Sequence, residues 1–111
     1  KSDGLTKKSI VYSLDTVSAI FHVLSKGLSG QAYNITNPDI YLTMNDYVLN
    51  LFKHFNENLK LVHIDVDRSK EGFLPRVEYN LSINKLKQLG WSPLADLYHI
   101  YSVDIERFCL L

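Results

Sequence analysis

The chain has 111 residues, 46% of them hydrophobic, with twelve lysines and arginines balancing twelve aspartates and glutamates. That length fits one domain, residues 1–111, burying roughly two thirds of its unfolded surface, and the apolar share argues against disorder. A net charge of zero argues against a general nucleic-acid or anionic-membrane binder, and no apolar run reaches membrane-spanning length. Cys109 is the single cysteine, so no internal disulfide is expected, and a cytoplasmic location follows as the expectation.

The first nine residues are polar and read as a loop feeding a short strand over Ser9 to Tyr12. Asp15 fits a helix N-cap, with Val17, Ile20, Phe21 and Leu24 following at helical spacing and Gly27 suited to a left-handed C-cap. Ser29-Gly30 makes a turn, Ala32 to Ile35 reads as a strand, and Asn37-Pro38-Asp39 ends it.

Thr43 is a second N-cap candidate, with Asp46 completing a weak capping box. Tyr47, Val48, Leu51, Phe52 and Phe55 form the apolar stripe of that helix, and Asn56 and Asn58 mark its exit. Leu61 to Val66 alternates, which predicts a half-buried strand with Val62, Ile64 and Val66 inward. A polar loop from Asp67 to Pro75 follows. Ser82 caps a third helix over Ile83 to Leu89, ended by Gly90, with Pro93 fixing the exit. Asp96 caps a last helix with apolar positions at Leu97, Ile100, Tyr101, Val103, Ile105 and Phe108. The expected class is α+β, with several helices and short strands and a sheet too small for a doubly wound domain.

Three segments carry a resemblance when taken in order. Tyr12-Ser13-Leu14-Asp15 opens a helix through Ala19, Gly30-Gln31-Ala32-Tyr33-Asn34-Ile35 follows, and Lys85-Leu86-Lys87-Gln88-Leu89-Gly90-Trp91-Ser92-Pro93 lies near the end. Together they resemble the C-terminal part of the extended short-chain dehydrogenase/reductases, the NAD-dependent nucleotide-sugar epimerases and dehydratases. The K-L-x-x-L-G-W-x-P piece is the most specific. No glycine-rich dinucleotide loop and no Tyr-x-x-x-Lys pair occurs in the chain.

The resemblance implies a C-terminal substrate-binding portion that lacks its Rossmann half. It would cover a sugar nucleotide and contact the diphosphate, with no cofactor in this chain and NAD bound by the missing half. Its implied partners are that N-terminal Rossmann domain, a nucleotide-sugar substrate and a further copy of itself. It implies no nucleic acid and no membrane, and surface-polysaccharide synthesis as the setting. Such a portion is not catalytic alone. The candidate substrate-binding residues are Lys8, Arg76, Glu78 and Asn34. Lys8 stands where the family has arginine and keeps the charge without the planar fork that grips phosphate. Glu78 stands at the position of the family's diphosphate-binding arginine, a charge reversal, and Arg76 two residues earlier is the candidate substitute. Arg68 and Lys70 are weaker phosphate candidates. These departures leave a second reading open, a non-catalytic binding or assembly module with a degenerate phosphate site. Trp91 is expected to fill the core rather than stack on a base. His22, His54, His63, His99 and Cys109 show no metal-ligand spacing.

Overall fold

The computed structural model describes residues 3–56, 58–64 and 78–109. Among these, the element order is β1 (Lys7–Ser9), α1 (Ser13–Lys26), β2 (Tyr41–Thr43), α2 (Met44–Phe55), α3 (Asn84–Gln88) and α4 (Leu97–Cys109). The two strands form one antiparallel sheet, so the chain is a small α+β protein. The expected 9–12 strand is displaced to Lys7–Ser9, because the chain that pairs with it arrives as Tyr41–Thr43.

The chain divides into two units. The first takes residues 1–8 and 42–79, the second residues 9–41 and 80–111.

In the first unit α2 begins with the expected capping box. Thr43 Oγ1 accepts from the Asp46 N–H at 3.0 Å and donates to Asp46 Oδ2 at 2.7 Å. Asn56 closes the helix, its N–H donating to the Phe52 carbonyl. Tyr47, Val48, Leu51 and Phe52 are half-buried, but no residue of α2 is fully buried. Gly4 sits at φ 70°, and the Asn45 side chain occupies the space a β-carbon would need. The Asn45 N–H donates to the Gly4 carbonyl at 3.0 Å, and Asn45 Nδ2 to the Asp3 carbonyl at 3.2 Å. The strand predicted from Leu61 is not formed over 61–64. Val62 and Ile64 are exposed there, since an alternating segment buries a face only when a neighbour pairs with it. Asp65 and Val66 lie outside the described residues.

In the second unit the core is Ala19, Ile83, Leu86 and Trp91, with Val23, Tyr33, Ile35 and Leu89 packed against it. Trp91 is 2% exposed, as the Leu-Gly-Trp corner predicts. α3 ends in a Schellman motif. The Gly90 N–H donates to the Lys87 carbonyl and the Trp91 N–H to the Leu86 carbonyl, at 3.0 and 3.1 Å. Gly90 holds φ 88°, the left-handed conformation this closure requires. Lys26 Nζ reaches the Leu89 carbonyl at 3.3 Å, so α1 helps to close α3. Asp96 Oδ1 accepts from the His99 N–H at 2.7 Å and caps α4 as expected. Ser82 is not the cap of α3: Ile83 holds that position without a side-chain bond, and Ser82 Oγ accepts from the Asn84 N–H two residues on, a local turn before the helix. Ile100 and Tyr101 carry α4 inward, both buried.

Three further sequence expectations are corrected in this unit. Gly27 is extended, at φ −67°, and its N–H simply donates to the Val23 carbonyl. Ala32 to Ile35 has no ladder partner among the described residues and is tied down by side chains instead. Tyr33 Oη accepts from the Leu28 N–H, and Lys85 Nζ donates to Gln31 Oε1 and the Ala32 carbonyl. Finally, α1 turns Asp15 and Ala19 inward, while Val17, Ile20, Phe21 and Leu24 face outward. Small Ala19 lets the helix approach the Trp91 corner closely, which a Phe21-led face would prevent.

Candidate functional site

Tyr12, Leu14, Asp15 and Ser18 from the start of α1 meet Leu94, Ala95 and His99 around the start of α4. Together they line an open cleft of about 350 Å³, all within the second unit.

Asp15 is the most constrained of these residues. The helix begins at Ser13 with Tyr12 in the cap position, so Asp15 lies in the first turn and is not the cap. It is 6% exposed, and its Oδ2 accepts from the Leu94 N–H at 3.1 Å and the Ala95 N–H at 3.0 Å. Charge-assisted bonds from backbone amides satisfy a buried carboxylate without a cation. Ala95 is also held from its other side, where its carbonyl accepts from Asn37 Nδ2 at 3.0 Å. Asn37 Oδ1 in turn accepts from the Asp39 N–H. The entry to α4 is therefore fixed by one carboxylate and one carboxamide.

The opposite wall is aromatic. The Tyr12 and His99 rings stand edge to face with centroids 5.3 Å apart. Leu94 is 90% exposed and Leu14 63%, so the cleft has apolar margins around a buried acid. Serine, histidine and aspartate all line it, but no hydrogen bond links Ser18, His99 and Asp15. Asp15 spends its oxygen on two amides rather than orienting an imidazole, so no charge-linked nucleophile is assembled. What the arrangement can do is bind: an apolar body between Leu14 and Leu94, with polar groups beside it.

The residues expected to hold a diphosphate fall elsewhere. Lys8 is exposed on β1 and Glu78 is exposed at the end of the described first unit, with no hydrogen bond or ion pair between them. Asn34 belongs to the second unit, where its Nδ2 donates to the Ser82 carbonyl at 3.1 Å. That bond ties the 31–35 segment to the start of α3. Arg76, Arg68 and Lys70 lie outside the described residues.

Sequence reasoning missed the partners of Asp15 and the part played by Asn37. The Asn-Pro-Asp turn was visible, but nothing local signalled that Asn37 would reach a carbonyl 58 residues away. Among the described residues no group of three or more histidines, cysteines, aspartates or glutamates is placed to hold a metal ion. Nor is any helix there long and apolar enough to cross a membrane. No family model matches the chain, and no curated protein matches it.

Proposed function

We propose that the chain is the C-terminal substrate-binding portion of an NAD-dependent nucleotide-sugar epimerase or dehydratase, of the extended short-chain dehydrogenase/reductase family. One observation carries the reading. The two segments on which the resemblance chiefly rests, 12–19 and 85–93, build a single core. Ala19 of the first packs with Leu86 and Trp91 of the second, and Asp15 bonds the backbone immediately after Pro93. A likeness spread over distant segments gains weight when those segments depend on each other physically.

In this reading the chain covers the sugar nucleotide, and Lys8 and Arg76 neutralise its phosphates. The described residues do not themselves fit NAD. A dinucleotide needs glycines opening a helix N-terminus, whereas Gly27 and Gly30 follow α1 and Gly90 follows α3. In this reading the nicotinamide is held by the missing half, and turnover belongs to the whole protein. The same reading makes the protein cytoplasmic. The second reading, a binding or assembly module without catalysis, is favoured by Glu78, which puts a carboxylate where the relatives ground a diphosphate.

The deciding experiment is to read the coding sequence upstream of Lys1 and assay the protein it encodes. A strand leading into Gly-x-x-Gly-x-x-Gly, then a Tyr-x-x-x-Lys pair, with NAD-dependent conversion of a UDP-, dTDP- or GDP-sugar, is the expected result. A start codon at this point or an unrelated preceding domain overturns the enzyme reading in favour of the binding module.

A further inference from the structure

Asp15 has one oxygen to spare. Its Oδ2 takes both the Leu94 and the Ala95 amides, and its Oδ1 has no hydrogen-bond partner in the protein. Among the described residues, the side-chain atoms sealed from solvent without a partner are Ser9 Oγ and Trp91 Nε1, and Asp15 Oδ1 is not one of them. Asp15 as a whole is only 6% exposed, so the little surface it keeps opens on the cleft it lines. A carboxylate offers about four acceptor positions, and two amides on one oxygen leave the other oxygen unfilled.

The charge around this oxygen has one sign. The two segments that build the cleft, 9–25 and 88–106, contain no lysine and no arginine, yet they carry Asp15, Asp96, Asp104 and Glu106. Asp96 directly follows Ala95, which lines the cleft. A diphosphate would meet repulsion here, so the cleft is separate from the proposed sugar-nucleotide site. A cation finds a charge-assisted acceptor in Oδ1, with Ser18 one turn along the same face of α1.

The walls select the kind of cation. The Tyr12 and His99 rings form one side, and an ammonium group packs favourably against an aromatic face. Leu14 and Leu94, 63% and 90% exposed, add apolar margins that suit a hydrocarbon body and not a hydrated metal ion. At about 350 Å³ the cleft is at the small end of ligand pockets.

We propose that the cleft between the starts of α1 and α4 binds a small organic ammonium ion. The head group sits on Asp15 Oδ1, and the apolar body lies between Leu14, Leu94 and the Tyr12 ring. This site goes beyond the sugar-nucleotide reading and does not rest on it.

Benzylammonium and benzyl alcohol, alike in shape and different in charge, are the probes. Each is titrated into the whole protein that contains this chain, following the Tyr12 and His99 ring signals by NMR. Benzylammonium is expected to bind with a Kd on the order of a millimolar, and benzyl alcohol about tenfold more weakly. Asp15→Asn keeps an oxygen for the two amides. It should weaken benzylammonium about tenfold and leave benzyl alcohol within about twofold. If circular dichroism shows that this variant has lost its helices, Leu94→Lys at the exposed margin replaces it, with a selective loss of about fivefold. Saturating UDP-glucose should leave the probe's affinity unchanged. Equal affinities for the two probes overturn the proposal, as does displacement by UDP-glucose. Absence of binding to the whole protein also overturns it, and is the result if a lysine or arginine of the preceding polypeptide already fills the cleft. No readout here depends on NAD or on turnover, so failure of the enzyme reading leaves this test intact.

Discussion

Asp15 and Ala95 are eighty residues apart in sequence and joined by a 3.0 Å bond from a backbone amide to a buried carboxylate. A helix cap acts on its own first turn, whereas this carboxylate joins α1 to the entry of α4. The distinction sets what substitutions do. Asp15→Ala leaves two amide hydrogens without an acceptor and should cost about 2–4 kcal/mol. Asp15→Ser, which a capping role would tolerate, should cost nearly as much because serine is too short to reach Leu94 and Ala95. Asp15→Asn keeps an acceptor oxygen and should cost about half as much as alanine. Urea denaturation of the three variants separates these outcomes, and a neutral Asp15→Ser would return Asp15 to a local role.

Gly90→Ala tests the closure of α3. A β-carbon there would find only Lys26 Nζ nearby, at 3.7 Å, so the cost comes from the positive φ and not from collision. About 1–2 kcal/mol is expected, read as a lowered urea midpoint with unchanged slope. Gly4→Ala in the first unit should cost more, since its β-carbon also collides with the Asn45 side chain.

For α2 the cap carries unusual weight, because the helix buries no residue fully. Thr43→Ala removes the acceptor for the Asp46 N–H and should cost about 1 kcal/mol. Amide hydrogen exchange should show that loss locally, with the first turn of α2 exchanging about fivefold faster while the α1 core amides are unchanged.

Under the proposed function, Glu78 repels a diphosphate and an arginine there would grip it. Glu78→Arg in the whole protein should tighten binding of UDP-glucose or dTDP-glucose about tenfold, roughly 1.4 kcal/mol, by isothermal titration calorimetry. Unchanged affinity would mean that this position does not face the ligand. Since Glu78 is exposed, the substitution should leave the melting temperature within a degree or two.

Much of this fold was legible wherever the chemistry is local. Thr43 with Asp46, Asp96 with the start of α4, and Gly90 after Leu89 are decided by residues within one turn of each other. The sequence displays them together, and the structure places each as expected. Trp91 was readable for a related reason, as the one large side chain at a tight corner. The inward side of α1 was not. Its outward stripe is the more hydrophobic, and periodicity alone assigns that stripe to the core. What reverses the assignment is Ala19, whose small side chain permits close contact with a corner more than sixty residues later. The strands failed in the same way, because three-residue strands exist only through their pairing. As for the candidate site, Asp15 was singled out but for the wrong task. The amides that donate to it lie beyond any local window, as does the carbonyl that Asn37 reaches.

The second unit is discontinuous in sequence, with residues 9–41 separated from 80–111 by a segment that belongs to the first. Three of its four core residues, Ile83, Leu86 and Trp91, come from the later piece. During synthesis α1 therefore leaves the ribosome with neither the Trp91 corner nor the backbone amides that Asp15 requires. At about 5–20 residues per second, that interval lasts several seconds, during which a helix apolar on both sides has no native partner. A nascent chain stalled just after Tyr79 holds α1 in that state indefinitely. Residues 80–111 thus act as the closing half of a clasp, without which the early piece has no core to join.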